Sequence, residues 1–235
     1  MVHPLVFSAL LFCGSLPFQV GERLVYSIEW GPIKAGKGSF EIVGIIPLKG
    51  KDCYHVVSYA WSNPTFSFFY KVEDRVESFM EVEKLYTRKF EKHIREGNFK
   101  TDVIVDFDQE KGKAIYSDEK VFPLIEEARD ALASLYYTRT LPLKVGESIY
   151  INNHTDRTNY PLEIKIHRKE QVETKVGTFD CIVVEPVLRY SGLFEQKGKL
   201  TVWLTDDGLR IPVLMKSKII IGSIKAVLEE MKLQR

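Results

Sequence analysis

The residue types that do chemistry are present in this chain, but they are scattered. His3, His55, His93, His154 and His167 never stand in the i, i+4 spacing of a helical zinc site or as an H-x-H pair along a strand. His154-Thr155-Asp156 would place two ligand types on one strand face, yet the neighbours from Asn152 to Asn159 read as a solvated loop, so no metal is assigned. There is no G-x-S-x-G elbow, no phosphate-binding glycine loop and no dinucleotide fingerprint; Ser191 and Ser217 have no base nearby in sequence. Neither catalytic residues nor a cofactor can be assigned. Asp206 and Asp207 precede Gly208 and read as a turn, since adjacent residues of a strand point to opposite faces and cannot form a facing dyad. Glu126 and Glu127 read as partners of a helix dipole, and Arg129 and Asp130 as exposed helix residues in a structural ion pair.

Aromatic residues are the other source of binding chemistry. They concentrate in Trp61 through Tyr70, where Phe66, Phe68 and Tyr70 alternate with Ser67 and Phe69. Read as a strand, this segment carries apolar groups on both faces, one for the core and one for a cavity or partner; a two-sided core strand explains it equally well.

These side chains are carried on short segments of alternating polarity, the pattern of antiparallel sheet with one buried face. Leu24, Tyr26, Ile28 and Trp30 share a face, as do Leu162, Ile164 and Ile166, and Leu200, Val202 and Leu204. Pro47-Leu48-Lys49-Gly50 and Asp206-Asp207-Gly208 supply hairpin turns. One segment breaks the rhythm. Near 123–138, Leu124, Ala128, Ala131, Leu132, Leu135 and Tyr136 recur at helical spacing behind Pro123, predicting a single amphipathic helix packed on the sheet.

The stretches before and after that helix resemble each other. Val20-Gly21-Glu22 is echoed by Val145-Gly146-Glu147, Cys53 by Cys181, and Phe79 and Leu85 by Trp203 and Leu209, all at a near-constant interval. Such spacing points to an internal duplication, with halves of about 20–118 and 145–235 inside one β-rich domain, 19–235. Residues 1–18 read as a signal segment. Its apolar run, Leu5 to Phe18, is shorter than the roughly 20 residues that span a bilayer. Cys13-Gly14 is similar to a lipoprotein cleavage site, although Phe12 stands where a small residue is needed. The other two cysteines, Cys53 and Cys181, read as buried small hydrophobes, with pairing left open. At 235 residues the chain can bury a core without staples, and 33 Lys+Arg against 32 Asp+Glu gives a formal net charge of +1, which argues against nucleic acid as a partner.

Val20-Gly21-Glu22-Arg23-Leu24-Val25-Tyr26, Trp30 through Gly36 and Arg129-Asp130-Ala131-Leu132 resemble the family catalogued as domain of unknown function 3108. So do Val176 through Cys181, Val202 through Asp207, Arg210 through Val213 and Gly222-Ser223-Ile224. The resemblance covers essentially everything from Phe18 onward. It implies an exported, mostly β protein of Gram-negative-type bacteria and carries no activity, cofactor or catalytic residue to transfer.

The expected fold is mainly β: a strongly curved antiparallel sheet, or two half-barrels, around one helix. The expected function is that of a non-catalytic periplasmic or envelope protein with no transmembrane span. Its concave surface, bearing Tyr26, Trp30, Phe68, Tyr70, Tyr136 and Trp203, would hold a lipid, an acyl chain or a segment of an envelope protein. Two alternatives stand beside it: a hydrolytic enzyme built around the Trp30-to-Gly36 turn or Asp206, and a purely structural envelope component.

Overall fold

A computed structural model of the chain describes residues 16–188, 199–218 and 222–234. Met1 to Ser15 with Cys13, the Ser191-Gly192 pair and the Ile219-Ile221 run lie outside the described residues. The first half of the chain forms β1 (Arg23–Trp30), β2 (Ile33–Leu48), β3 (Lys51–Ser62), a one-turn helix α1 (Pro64–Ser67), β4 (Glu73–Glu81), β5 (Thr87–Glu96), β6 (Phe99–Asp108), β7 (Lys113–Tyr116) and β8 (Val121–Pro123). After α2 (Ala131–Thr140) come β9 (Ser148–Thr155), β10 (Thr158–Thr174), β11 (Gly177–Val187), β12 (Leu200–Thr205), β13 (Pro212–Lys218) and β14 (Ser223–Lys232).

All fourteen strands belong to one antiparallel sheet, in the order β8-β7-β6-β5-β4-β3-β2-β1-β14-β13-β12-β11-β10-β9. Every neighbouring pair is consecutive in the chain except β1 and β14, which join the two halves. The hydrogen-bond ladder does not close into a barrel, but the sheet curls until its edges meet through side chains. His154 of β9 shares a 2.9 Å hydrogen bond with the Tyr116 hydroxyl of β7, and Asn159 donates to the Pro123 carbonyl at 2.8 Å. The 124–130 segment runs as a strap along this seam. Arg129 N–H donates to the Asn152 carbonyl at 2.9 Å, and His154 N–H donates to the Arg129 carbonyl at 3.0 Å. Edge donors and acceptors that would otherwise be exposed are used up this way.

The predicted helix over 123–138 is corrected at its start. Pro123 ends β8, residues 124–130 are the strap, and Glu127 has φ 54°, incompatible with a helical turn. Leu124 and Ala128 are apolar because they pack with Val105, Phe107, Ala114 and Tyr116, not because they share a helical face. Glu126 and Glu127 are therefore not in the first turn of α2. Its N-cap is Asp130, whose Oδ1 accepts the Leu132 and Ala133 amides at 2.7 and 3.0 Å and whose Oδ2 accepts the Ser78 and Thr87 hydroxyls at 2.6 Å each. Arg129 and Asp130 are buried, not exposed. The Arg129 guanidinium donates to the carbonyls of Leu85, Glu127 and Lys84 and lies 3.6 Å from the Tyr137 ring centroid.

Helix α2 is not amphipathic either. It lies inside the curl of the sheet and buries Leu132, Ala133, Ser134, Tyr136, Thr138 and Arg139, which point in several directions. Tyr136 and Ala133 pack with Phe18, Ile42, Tyr54, Val56 and Met80. The polar members have partners: Ser134 Oγ accepts from Asn153 Nδ2 at 3.1 Å, and Thr138 donates back to the Ser134 carbonyl at 2.7 Å. Arg139 holds both Glu22 oxygens at 2.6 and 2.8 Å and reaches the Pro17 carbonyl at 2.9 Å and the Leu209 carbonyl at 3.2 Å.

The expectation of one greasy and one wet face fails in β11 and β12, which are buried on both. Cys181, Val183 and Trp203 pack with Leu24, Tyr26, Val213 and Leu228. Ile182, Val184, Val202 and Leu204 pack with Ile151, Leu162 and Ile164 on the other side. The uninterrupted runs Cys181-Ile182-Val183-Val184 and Val202-Trp203-Leu204 carry that signature in the sequence. Cys53 and Cys181 are both buried free thiols.

Local geometry repeats between the halves. Gly21 and Gly146 both have φ 86°. Gly21 N–H donates to the Ile42 carbonyl at 2.8 Å and Ile42 N–H to the Glu22 carbonyl at 3.0 Å; Gly146, Ile166 and Glu147 repeat both bonds at the same distances. Irregularities follow in matching places, between Ile42 and Gly44 and between Ile166 and Arg168, then between Phe79 and Met80 and between Trp203 and Leu204.

Phe18 is 4% exposed, packs edge-to-face on Tyr54 and Tyr136, and follows the carbonyl that Arg139 holds, so Pro17 and Phe18 belong to the folded domain. Phe18→Ala should lower the unfolding free energy by about 3 kcal/mol in urea titrations. Removal of residues 1–15 should leave it unchanged, while removal of residues 1–18 should reproduce or exceed the Phe18→Ala loss.

Candidate functional site

The aromatic segment does not form a strand. Trp61 and Ser62 finish β3, Asn63 caps α1 by accepting the Phe66 amide at 2.8 Å, and Pro64 takes the first helical position. Asn63 Nδ2 also donates to the Lys34 carbonyl at 2.6 Å, and Ser62 Oγ contacts Ser67 Oγ at 2.6 Å and accepts the Val72 amide at 2.9 Å. These bonds fasten the connection at both ends. Its outer turn carries Phe68 and Phe69, 86% and 81% exposed, edge-to-face with centroids 5.2 Å apart. Asn-Pro after a strand is a helix-start signal that the aromatic alternation obscured.

Neighbouring turns extend this end of the sheet. Trp30 pairs with Ile33 and with Ile224 across β1, β2 and β14, and all three are exposed. Phe66 packs edge-to-face on Trp30 at 6.2 Å. On the other side, Gly97 N–H donates to the Lys71 carbonyl at 2.7 Å, tying the β5–β6 turn, which leads into exposed Phe99, to the segment that carries Tyr70. The Tyr70 ring lies so close over Gly97 that a Cβ there would stand 2.8 Å from it. Elsewhere on the described surface the exposed large apolar groups are mostly aliphatic.

One residue behind the apolar row Ile224–Trp30–Ile33 lies a charged row. Lys216 pairs with Lys225, Lys225 with Glu29, and Glu29 with Lys34. A cleft of about 280 Å³ opens at the Lys34 end, lined by Trp61, Pro64, Gly36 and Ser27 together with Lys34 and with Lys37, whose ammonium pairs with Glu229, also in the lining. Gly36 is required there, because a Cβ would meet the Trp61 carbonyl oxygen at 2.0 Å.

The six aromatic residues expected on one concave face are therefore split. Trp30, Phe68 and Tyr70 stand together at the exposed end. Tyr26, Tyr136 and Trp203 lie in closed core: Tyr26 donates to the Pro212 carbonyl at 2.8 Å, Tyr136 packs under Phe18, and Trp203 Nε1 donates to Glu170. The concave side is occupied by α2. Sequence reasoning named Trp61 and Phe69 in the aromatic segment without placing them among the binding residues, and it did not single out Ile33 or Phe99; Ile33, Trp61 and Phe99 are exposed at or next to strand ends and Phe69 on the turn after α1.

The polar candidates resolve into structural roles. Asp206 pairs with Lys169, and Asp207 Oδ1 accepts the Thr205 hydroxyl and the Leu209 and Arg210 amides, the bonding of a side-chain-closed turn. The Trp30-to-Gly36 turn brings no nucleophile and base together among the described residues. Glu77, Glu91 and His93 converge on the face away from α2, but Arg75 and Lys89 pair with the two carboxylates and Asp102 holds His93 Nδ1 at 2.7 Å. Burial pushes the Cys53 thiol up to about 11 and the Cys181 thiol to about 12, so neither is an activated nucleophile.

His154 is corrected from loop to strand. It is 2% exposed, and the following hairpin turns through Asp156 and Arg157, with φ 47° and 68°. Its Nδ1 faces Asn159 Oδ1 at 2.8 Å, so Nδ1 carries the proton. Nε2 then accepts from Tyr116, whose hydroxyl in turn accepts the Arg157 amide at 2.8 Å. The ring is thus held neutral, and burial lowers its pKa.

The family model described as "Protein of unknown function (DUF3108)" matches residues 25–229. No curated protein sequence matches the chain. Among solved structures, a β-barrel-like protein of the DUF1849 family from Brucella abortus has a TM-score of 0.57 at 7% identity, covering 93% of this chain and 99% of that one. A candidate lipoprotein from Parabacteroides distasonis has a TM-score of 0.43 at 13% identity, covering 92% and 98%. A DUF1089 family protein from Pseudomonas aeruginosa reaches 0.41 at 9% identity, covering 78% and 90%. At these identities the first of them supports the fold alone.

Because the folded His154 pKa lies below the ordinary value of about 6.5, the unfolded chain takes up a proton at mildly acid pH that the folded chain refuses. This contribution to stability is fully present above about pH 7 and is lost as pH falls through 6.5 toward the lowered value. Unfolding midpoints measured between about pH 5 and 7 should rise with pH, and His154→Gln, which keeps a donor and an acceptor, should flatten that slope.

Proposed function

We propose that this chain, which belongs to the DUF3108 family, is a non-catalytic protein of the bacterial envelope that docks on a lipid bilayer surface through the aromatic end of its sheet. The observation that carries this reading is the Phe68–Phe69 pair, held in water on a turn fastened by Asn63, Ser62 and Ser67. Two phenylalanines left more than four-fifths exposed forgo most of the roughly 1.5–3 kcal/mol that burial would supply to each. A knob that projects suits a deformable receiving medium better than a rigid one. Trp30 and Trp61 stand at strand ends behind it and Tyr70 in the connection to β4, where amphipathic rings sit at the headgroup level of a bilayer.

Export to the periplasm is supported by the apolar run that precedes the fold, with the leader ending ahead of Pro17. No helix among the described residues is long and apolar enough to cross a membrane. With α2 filling the curl of the sheet, the apolar contact is assigned to the end of the sheet instead of its concavity. We also read the scaffold as two tandem copies of a six-strand unit, β1–β6 and β9–β14, supported by the matched turns and bulges. An experimental structure in which those two sets did not superpose strand for strand would remove that reading.

Phe68→Ser with Phe69→Ser should leave the thermal midpoint unchanged, since neither ring is buried. The same pair should reduce cosedimentation with phosphatidylcholine-containing vesicles by roughly tenfold or more. Retained vesicle binding would overturn the docking surface, and retention of a protein partner without vesicle binding would reassign it to that partner.

A further inference from the structure

The charged row behind the apolar tip is unusual in its arrangement. Lys216 and Lys225 lie directly opposite each other on β13 and β14, and Lys225 and Lys34 flank Glu29 from either side on β14 and β2. Like charges directly opposite in a sheet are destabilising, and one carboxylate cannot compensate three ammonium groups. None of Lys34, Lys216 and Lys225 makes an ion pair among the described residues. Lys100 and Lys218, at the same end, are also without one. Much of the remaining basic surface is paired, as with Lys37 to Glu229 and Glu230, Lys49 to Asp106 and Lys169 to Asp206.

The row has a fixed relation to the apolar tip. Ile224, Trp30 and Ile33 occupy the cross-strand row at the rim, and Lys225, Glu29 and Lys34 occupy the next one, about 3.4 Å further from it and on the opposite face of the sheet. Apolar groups in front and cations one residue behind is the order met on entering a bilayer, where acyl chains lie beneath a layer of phosphodiesters. The cleft at the Lys34 end continues the row past Trp61 and Pro64, giving a phosphate oxygen access to Lys34 beside an aromatic wall.

We propose that Lys34, Lys216 and Lys225, with the cleft at the Lys34 end, bind the phosphodiester headgroups of anionic phospholipids. The inference rests on the docking reading and supplies its lipid specificity. Attraction of about 1 kcal/mol for each lysine near such a surface corresponds to roughly fivefold in affinity, and screening removes it beyond a Debye length.

The test is cosedimentation of the full folded chain with vesicles of phosphatidylcholine alone and with vesicles in which phosphatidylglycerol replaces part of it, at low and high salt. Tighter binding to the anionic vesicles, lost at high salt and reduced by roughly tenfold in a Lys34→Gln, Lys225→Gln variant, is expected. Lys51→Gln with Lys113→Gln, at the opposite end of the sheet, should change it little. Equal binding to both vesicles, still abolished by Phe68→Ser with Phe69→Ser, would overturn the headgroup site and leave the docking reading standing. Absence of binding to either vesicle would overturn both. An equal loss in the opposite-end variant would show general charge attraction and overturn the assignment to this row. The thermal midpoint of each variant, expected at the wild-type value, separates lost binding from lost folding.

Discussion

The fold depends on one charged group inside it. The Arg139 guanidinium sits at the end of α2, beneath the curl of the sheet, with both Glu22 oxygens on one side and the Pro17 and Leu209 carbonyls on the others. The ring centroids of Phe18 and Tyr136 lie 5.4 and 5.1 Å from it. A buried ion pair adds little net stability by itself, because both ions lose their water. What it supplies is uniqueness of arrangement: the segment before β1, the helix and the β12–β13 turn must all be in place for its donors to be satisfied, and any partial assembly leaves a charge uncompensated. Antiparallel hairpins slide and repair easily, so a sheet made almost entirely of them needs such a fixed point.

The second constraint is the seam. A sheet that curls without closing exposes two edges, and both are handled by the strap that precedes α2. Backbone bonds from Leu124 to Gly112, from Thr87 to Ala128 and from Arg129 to Asn152 tie the strap to both margins. Gln109 Nε2 adds bonds to the Thr87 and Ala128 carbonyls at 2.8 and 3.0 Å. Asp130 then turns the chain directly into the interior as a helix cap bonded to β4 and β5. Strap and helix therefore act as one device, so a helix predicted to begin at Pro123 would have had to give up the seam. At that position the need to pair edge strands outweighs local helical spacing.

How much of this was legible in the sequence follows from which force governs each element. Strands with one wet face, such as β10 with Leu162, Ile164 and Ile166 inward and Lys165 and His167 outward, announce themselves by alternation. The echo of Gly21-Glu22 in Gly146-Glu147 was readable because both glycines hold a backbone angle that other residues avoid. Burial of the polar residues Arg129, Asp130, Asn153 and His154 was not readable, since polarity in a single sequence is evidence of exposure until the partners are known. Each of them is buried because a partner far away in the chain meets it, as Ser78 meets Asp130. The same holds in reverse for the aromatic segment. Phe68 and Phe69 have the composition of core residues, and only the capping of α1 by Asn63 and Pro64 puts them outside.

That reversal bears on where a ligand contact can be. In the interior, the volume that an acyl chain would take is held by α2 and by Tyr136, Phe18 and Met80, in mutual contact. Opening it would mean breaking the Arg139 assembly, which ties three segments together. At the sheet end no such rearrangement is needed: the aromatic groups are already exposed, and hydrogen bonds to Asn63 and Ser62 restrict the turn that carries them. Little conformational entropy remains to be lost when that surface is covered, so most of the apolar transfer energy would appear as affinity. On the proposed reading, a fold whose interior is closed by a buried ion pair and whose apolar surface is fixed at one end attaches by that end.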